Sequence, residues 1–119
     1  MARVHHRLDV WKRSIDFTES IYKLVSSFPK SEEYGLGSQL KRAAVSIPSN
    51  IAEGAARRSK REFIQFLYMA AGSASEIDTQ LELASRLGFL SRDGRSTLDS
   101  ELEIISKMIS SLIKSQRVG

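Results

Sequence analysis

The run from Ser59 to Gly88, SKREFIQFLYMAAGSASEIDTQLELASRLG, decides how this chain folds. Within it Phe63, Leu67, Ala70, Ala74, Ile77, Leu81 and Ala84 alternate spacings of four and three, which puts them on one stripe of an α-helix. Ser59 and Glu62 have capping-box spacing, in which hydroxyl and carboxylate each satisfy an orphaned backbone amide. Gly88 supplies the residue that readily turns left-handed after a helix. Between these ends Ala70 to Ser75 are all small and let a neighbouring backbone come close, although Gly72 costs about 1 kcal/mol relative to alanine.

Towards the C-terminus, Leu98, Leu102, Ile105, Ile109 and Leu112 repeat the rhythm after a polar connection containing Gly94. They predict a fourth helix that ends in the basic tail Lys114 to Gly119. Towards the N-terminus, Leu36, Leu40, Ala43, Ile47 and Ile51 form a stripe closed by Gly54. Pro48 inside it predicts a kink near Ala44 to Pro48, because proline removes a donor and crowds the carbonyl four residues back. The first segment has a stripe of Leu8, Trp11, Ile15, Tyr22 and Val25, with a second row of Phe17, Ile21, Leu24 and Phe28. Pro29 ends it, and Lys30 to Gly35 read as a loop. No β alternation occurs. Short connections between four amphipathic segments favour an all-α, antiparallel, up-down-up-down four-helix bundle, one domain over residues 1–119.

Composition narrows the function classes. The 119 residues include no cysteine, which closes disulfide, thiolate-metal and cysteine-nucleophile chemistry and suits a reducing cytoplasm. No apolar signal region interrupts the charged start, and no stretch reaches the roughly 18 apolar residues of a membrane span. The net charge of +4 is uneven: +6 over residues 1–61, −5 over 62–103 and +3 over 104–119. Such polarity steers polyanions to one end, or pairs the basic part of one copy with the acidic part of another.

Catalytic and metal signatures are weak. No glycine-rich phosphate loop, HExxH or EF-hand loop is present, so no cofactor is expected. His5 and His6 are adjacent and read as a solvated arm, with Asp9 the only nearby carboxylate; Asp78 and Glu82 share a helix face but lack a third metal ligand in register. Ser46-Ile47-Pro48-Ser49-Asn50-Ile51-Ala52-Glu53-Gly54 weaves polar residues among core positions. A catalytic reading makes Glu53 a base oriented by Asn50. The favoured structural reading has Asn50 and the serines satisfying carbonyls freed by Pro48, with Glu53 accepting amides at the next helix start or pairing with an arginine.

Next to it, Arg57, Arg58, Lys60 and Arg61 place four cations in five residues at a turn and helix start, where cations repel the positive helix terminus. One gain that offsets this is a phosphate-binding surface, extended by Lys41 and Arg42, with Ser59 or backbone amides as further donors. The alternatives are a solvated turn and ion pairs with residues 76–103 of a neighbouring copy. No aromatic residue interleaves the cluster to stack bases. Apolar residues beyond a strict seam, Phe17, Ile21, Leu24, Phe28, Phe66, Met69, Ile104 and Met108, fit either self-association or a wide core-facing sector.

Phe28-Pro29, Glu33 to Leu36, Gln39 to Gly54, Phe63 to Phe66, Gly72-Ser73 and Glu76 together carry a resemblance. The chain resembles, from Leu8 to about Leu112, the bacterial four-helix-bundle family of proteins encoded in 23S rRNA intervening sequences, with Ser46 to Gly54 as the most specific motif. The resemblance implies a closed homopentamer, which favours self-association over the wide sector. The accessory variability protein of diversity-generating retroelements is similar; it forms a basic pentamer that binds nucleic acid and a reverse transcriptase. Five copies would carry about +20 and repeat each basic cluster around an axis. The expected function is therefore non-enzymatic: an oligomer that binds structured RNA or DNA through phosphate contacts, with a protein-interaction scaffold that recruits a partner enzyme as the alternative.

Overall fold

The computed structural model describes residues 3–118, without the side chains of His6, Arg7 and Val118. A 3-10 turn, Val4–Arg7, leads into four α-helices: α1 (Asp9–Ser26), α2 (Leu36–Ala55), α3 (Lys60–Arg86) and α4 (Arg92–Val118). A second 3-10 turn, Lys30–Glu32, bridges α1 and α2, and no strand occurs among the described residues. Helix α1 packs on α2 and α4, and α3 packs on the other sides of α2 and α4, with α2 and α3 the most extensively joined pair. The four form a body 45 × 25 × 21 Å.

The stripe on α3 is buried from Leu67 to Ala84 as its spacing predicts, with Phe63 packed at the edge of the core. Ser59 Oγ accepts the Glu62 amide at 3.2 Å, but the Glu62 carboxylate accepts from the Ser59 hydroxyl, so half of the capping box forms. Gly88, at φ +81°, closes α3. Its amide reaches the Ser85 carbonyl and that of Phe89 reaches the Ala84 carbonyl, the paired bonds of a Schellman end.

Helix α1 corrects the sequence reading. Val10, Ser14, Phe17, Ile21 and Val25 are buried, whereas Ile15 and Tyr22 of the expected stripe face outward. Phe17 and Ile21 of the second row and Val25 of the first thus supply the core, with Leu8, Trp11, Leu24 and Phe28 packed against it, and each fully buried large side chain contributes about 1.5–3 kcal/mol. Ser14 fits there because its hydroxyl donates to the Trp11 carbonyl at 2.8 Å. The loop before α4 is also shorter than expected. Ser91 Oγ accepts the Gly94 amide at 3.0 Å, so Gly94 lies in the first helical turn, and the basic tail is helical through Val118.

Pro48 lies inside α2 without ending it. By removing its own amide it frees the Ala44 carbonyl, and that carbonyl is met by α1: Thr18 Oγ1 lies 3.1 Å from it and 2.7 Å from the Ser14 carbonyl. Asn50 and the serines do not perform this task, contrary to expectation. Gly54 differs as well, since it stays helical and buried. A Cβ there would stand 2.7 Å from Phe66 Cβ and 2.9 Å from Phe63 Cδ1, so the glycine exists for close approach of α2 to α3.

Candidate functional site

The Ser46 to Gly54 segment is knitted into the α2–α3 seam. Asn50 Nδ2 donates to the Ser46 carbonyl at 2.8 Å and to Ser46 Oγ at 2.9 Å. With its oxygen accepting from Asn50, the Ser46 hydroxyl is free to donate to Ser73 Oγ, 2.8 Å away on α3. Asn50 therefore points at Ser46 and does not orient Glu53. Glu53 Oε1 instead accepts from Arg57 at 3.0 Å, one helical turn on. The arrangement joins two helices and leaves Glu53 paired with a cation.

Arg57 turns back onto the same seam, its guanidinium 4.9 Å from the centre of the Phe66 ring. It is thereby set apart from Arg58, Lys60 and Arg61, which are exposed and make no ion pair among the described residues. Ser59 lies among them, but both functions of its hydroxyl are engaged by Glu62, so it is not a spare donor. Lys41 and Arg42 stand about 20 Å further along α2, given about 1.5 Å per residue. Lys41 is half-buried with its ammonium 5.2 Å from the Tyr22 ring centre, while Arg42 is exposed. The structure thus gathers three free cations at the turn and separates them from the other candidates.

Carboxylates where α3 meets α4 are occupied by arginines. Arg95 Nε binds both Asp99 oxygens at 2.9 Å, its Nη1 reaches Glu82 at 3.0 Å, and Asp78 lies 3.8 Å from Nη2. The Asp99 hydrogen bond raises the Arg95 pKa further, and hydrogen bonds from Arg86 and then Arg95 hold the Glu82 carboxyl below the usual carboxylate range. The Asp78–Glu82 pair is thus claimed by an arginine. Among the described residues no group of three histidine or acidic side chains is gathered to hold a metal ion. Two further pairs, Arg13–Glu101 and Lys107–Glu103, are exposed and worth little each.

At the N-terminus the expected solvated arm is a 3-10 turn, with the half-buried His5 ring 4.9 Å from Trp11 in an edge contact. The side chain of His6 lies outside the described residues. Among the described residues no helix is long and apolar enough to cross a membrane. One residue escaped sequence reading: Tyr68, 49% exposed on α3, hydrogen-bonds through its hydroxyl to the Arg117 guanidinium of α4. Its spacing of seven from Arg61, two helical turns on the same face, was the available signal.

The profile of the family described as 23S rRNA-intervening sequence protein matches residues 6–111. A solved structure from Bacteroides thetaiotaomicron, of a protein with unknown function from the S23 ribosomal protein family, is similar, with 27% identity and a TM-score of 0.82. The similarity covers 88% of this chain and 95% of that one. No match is found among curated proteins. Because the matched span contains α1 to α3 whole and most of α4, the chain belongs to the 23S rRNA-intervening sequence protein family.

Proposed function

We propose that this protein is a non-enzymatic, cytoplasmic oligomer whose basic turn grips the phosphates of structured RNA or DNA. The observation that carries the reading is the clustering of unpaired cations: Arg58, Lys60 and Arg61 stand together at one turn, exposed and without an ion pair among the described residues, while their neighbour Arg57 pairs with Glu53. Three free cations beside the amides of a helix start suit phosphate oxygens and carry no base readout.

The repeating unit is read as an antiparallel up-down-up-down bundle, five of which close a ring. Contact order supports the first part: Thr18 and Tyr22 meet Ala44 and Lys41, Ser46 and Gly54 meet Ser73 and Phe66, and Tyr68 and Glu82 meet Arg117 and Arg95. In each pair of helices one number rises as the other falls. Exposed Met69 and Leu83 on α3, Leu87 just after it, and Ile15, Tyr22 and Val45 on α1 and α2 support the second, as apolar faces suited to contacts between copies. The same faces favour the alternative of a scaffold that recruits a partner enzyme, such as a reverse transcriptase.

Solution mass tests the assembly, with a pentamer expected near 67 kDa from a 13.3 kDa chain. Sequencing of co-purified nucleic acid tests the ligand. A stoichiometric protein partner that survives nuclease treatment, with no nucleic acid retained, would replace the first reading by the second.

A further inference from the structure

We infer that Tyr68 and Arg117 form a stacking platform for an unpaired base, beside the phosphates held at the basic turn. The inference rests on the nucleic-acid reading above and names the class of strand it favours. Tyr68 is half-exposed and is not among the residues packed on the core. Arg117 donates to its hydroxyl, and the guanidinium carbon lies 5.5 Å from the ring centre. Arg61 sits seven residues earlier on α3, on the same helix face and about 10 Å away at 1.5 Å per residue. Lys114 lies one turn before Arg117 on α4.

The electrostatic setting suits an anionic strand. Residues 63–75 of α3 contain no charged side chain, and residues 104–119 contain no acidic side chain. Arg117 forms no ion pair among the described residues, so most of its five donors remain for phosphate. A cation near a helix C-terminus is favourable on its own, but that interaction does not need a half-exposed aromatic ring beneath it. A ring flanked by cations is the arrangement by which single strands are held without base readout, the base stacking on the π-face and arginine adding a cation–π contact. In a duplex the bases are already stacked and the ring has nothing to receive.

The test is fluorescence anisotropy on the full chain with four probes of about 12 nucleotides: oligo(U), oligo(dT), an abasic strand and a duplex. The expected result is that wild type prefers oligo(U) and oligo(dT) over the abasic strand. Tyr68→Ala then loses about tenfold on the two base-bearing strands and nothing on the abasic strand or duplex, while Tyr68→Phe keeps the wild-type preference. Unequal losses on oligo(U) and oligo(dT) would identify the preferred sugar and still support the platform. Equal wild-type affinity for abasic and base-bearing strands, or an equal Tyr68→Ala loss on all four probes, overturns it. In that event, abolished binding on reversing Arg58, Lys60 and Arg61 leaves the basic-turn reading standing. Binding of none of the probes by wild type overturns both.

Discussion

Gly54 and Arg58 are one helical turn apart in sequence, yet they belong to regions built on opposite principles. At Gly54 there is no room for a methyl group, and the segment before it spends its polar atoms on partners within the fold, Asn50 on Ser46 and Ser46 on Ser73. At Arg58 there is open solvent and no partner among the described residues. The contrast teaches that unusual residues carry different meanings once their contacts are known. A polar residue woven into a seam specifies which helices meet, whereas a cation left unpaired near a positive helix end is available to something outside the chain.

The largest expected effect is in the seam. Gly54→Leu should lower stability by about 3 kcal/mol in denaturant titration, because it drives a side chain into the Phe63 and Phe66 contacts. Gly54→Ala should lose less, since helix propensity returns about 1 kcal/mol. Wild-type stability in the leucine variant would break the close-approach account.

Next, Thr18→Val should lose about 1–2 kcal/mol by leaving the Ala44 carbonyl without its hydroxyl partner. A smaller coupling, about 0.5–1.5 kcal/mol, is expected between Ser46 and Ser73 in a double-mutant cycle with alanine, and additivity would deny the bridge. The basic turn should answer with the opposite sign. Reversing Lys60 and Arg61 to glutamate puts favourable charge at the start of α3, so stability should hold or rise by about 0.3–1 kcal/mol. A loss as large as that at Gly54 would mean that the turn is structural after all.

The smallest effect is a pH dependence at the α3–α4 contact. The Glu82 pKa is lowered in the folded chain by Arg86 and Arg95, so the unfolded chain binds more protons than the folded one at acid pH. The resulting stability is present above the ordinary carboxylate range and is lost as pH falls through the folded value. Glu82→Gln should flatten that part of the pH–stability curve, and an unchanged curve would mean that Arg86 and Arg95 do not lower the Glu82 pKa.

Much of the fold is legible in the sequence. The α3 stripe, its Ser59 and Gly88 ends and the Leu98 to Ile109 repeat all follow from spacing, because core burial and helical period leave the same mark. The face of α1 was not, because its two apolar rows lie side by side and the choice falls to packing against α2 and α4. Ser14, a polar residue at a core position, helped to hide Val10 from the pattern. Gly54 departs from that reading since a glycine near a helix end commonly turns left-handed, and only the close approach of the Phe63 and Phe66 side chains reveals its other use. In the candidate site the cation run was visible, but its division into one tethered and three free members was not. Tyr68 and Arg117 are 49 residues apart and meet only through the fold.

Unpaired cations at the start of α3 are proposed to hold phosphates. The direct measurement is binding to an RNA hairpin across a range of salt concentrations, for wild type and for the variant with Arg58, Lys60 and Arg61 reversed to glutamate. Each phosphate contact adds about 0.9 on duplex or 0.7 on single strand to the slope of log affinity against log salt. A steep wild-type slope is expected, falling by about three contacts in the variant, with affinity reduced at least tenfold and the helical fold intact. Undiminished binding with an unchanged slope would contradict it.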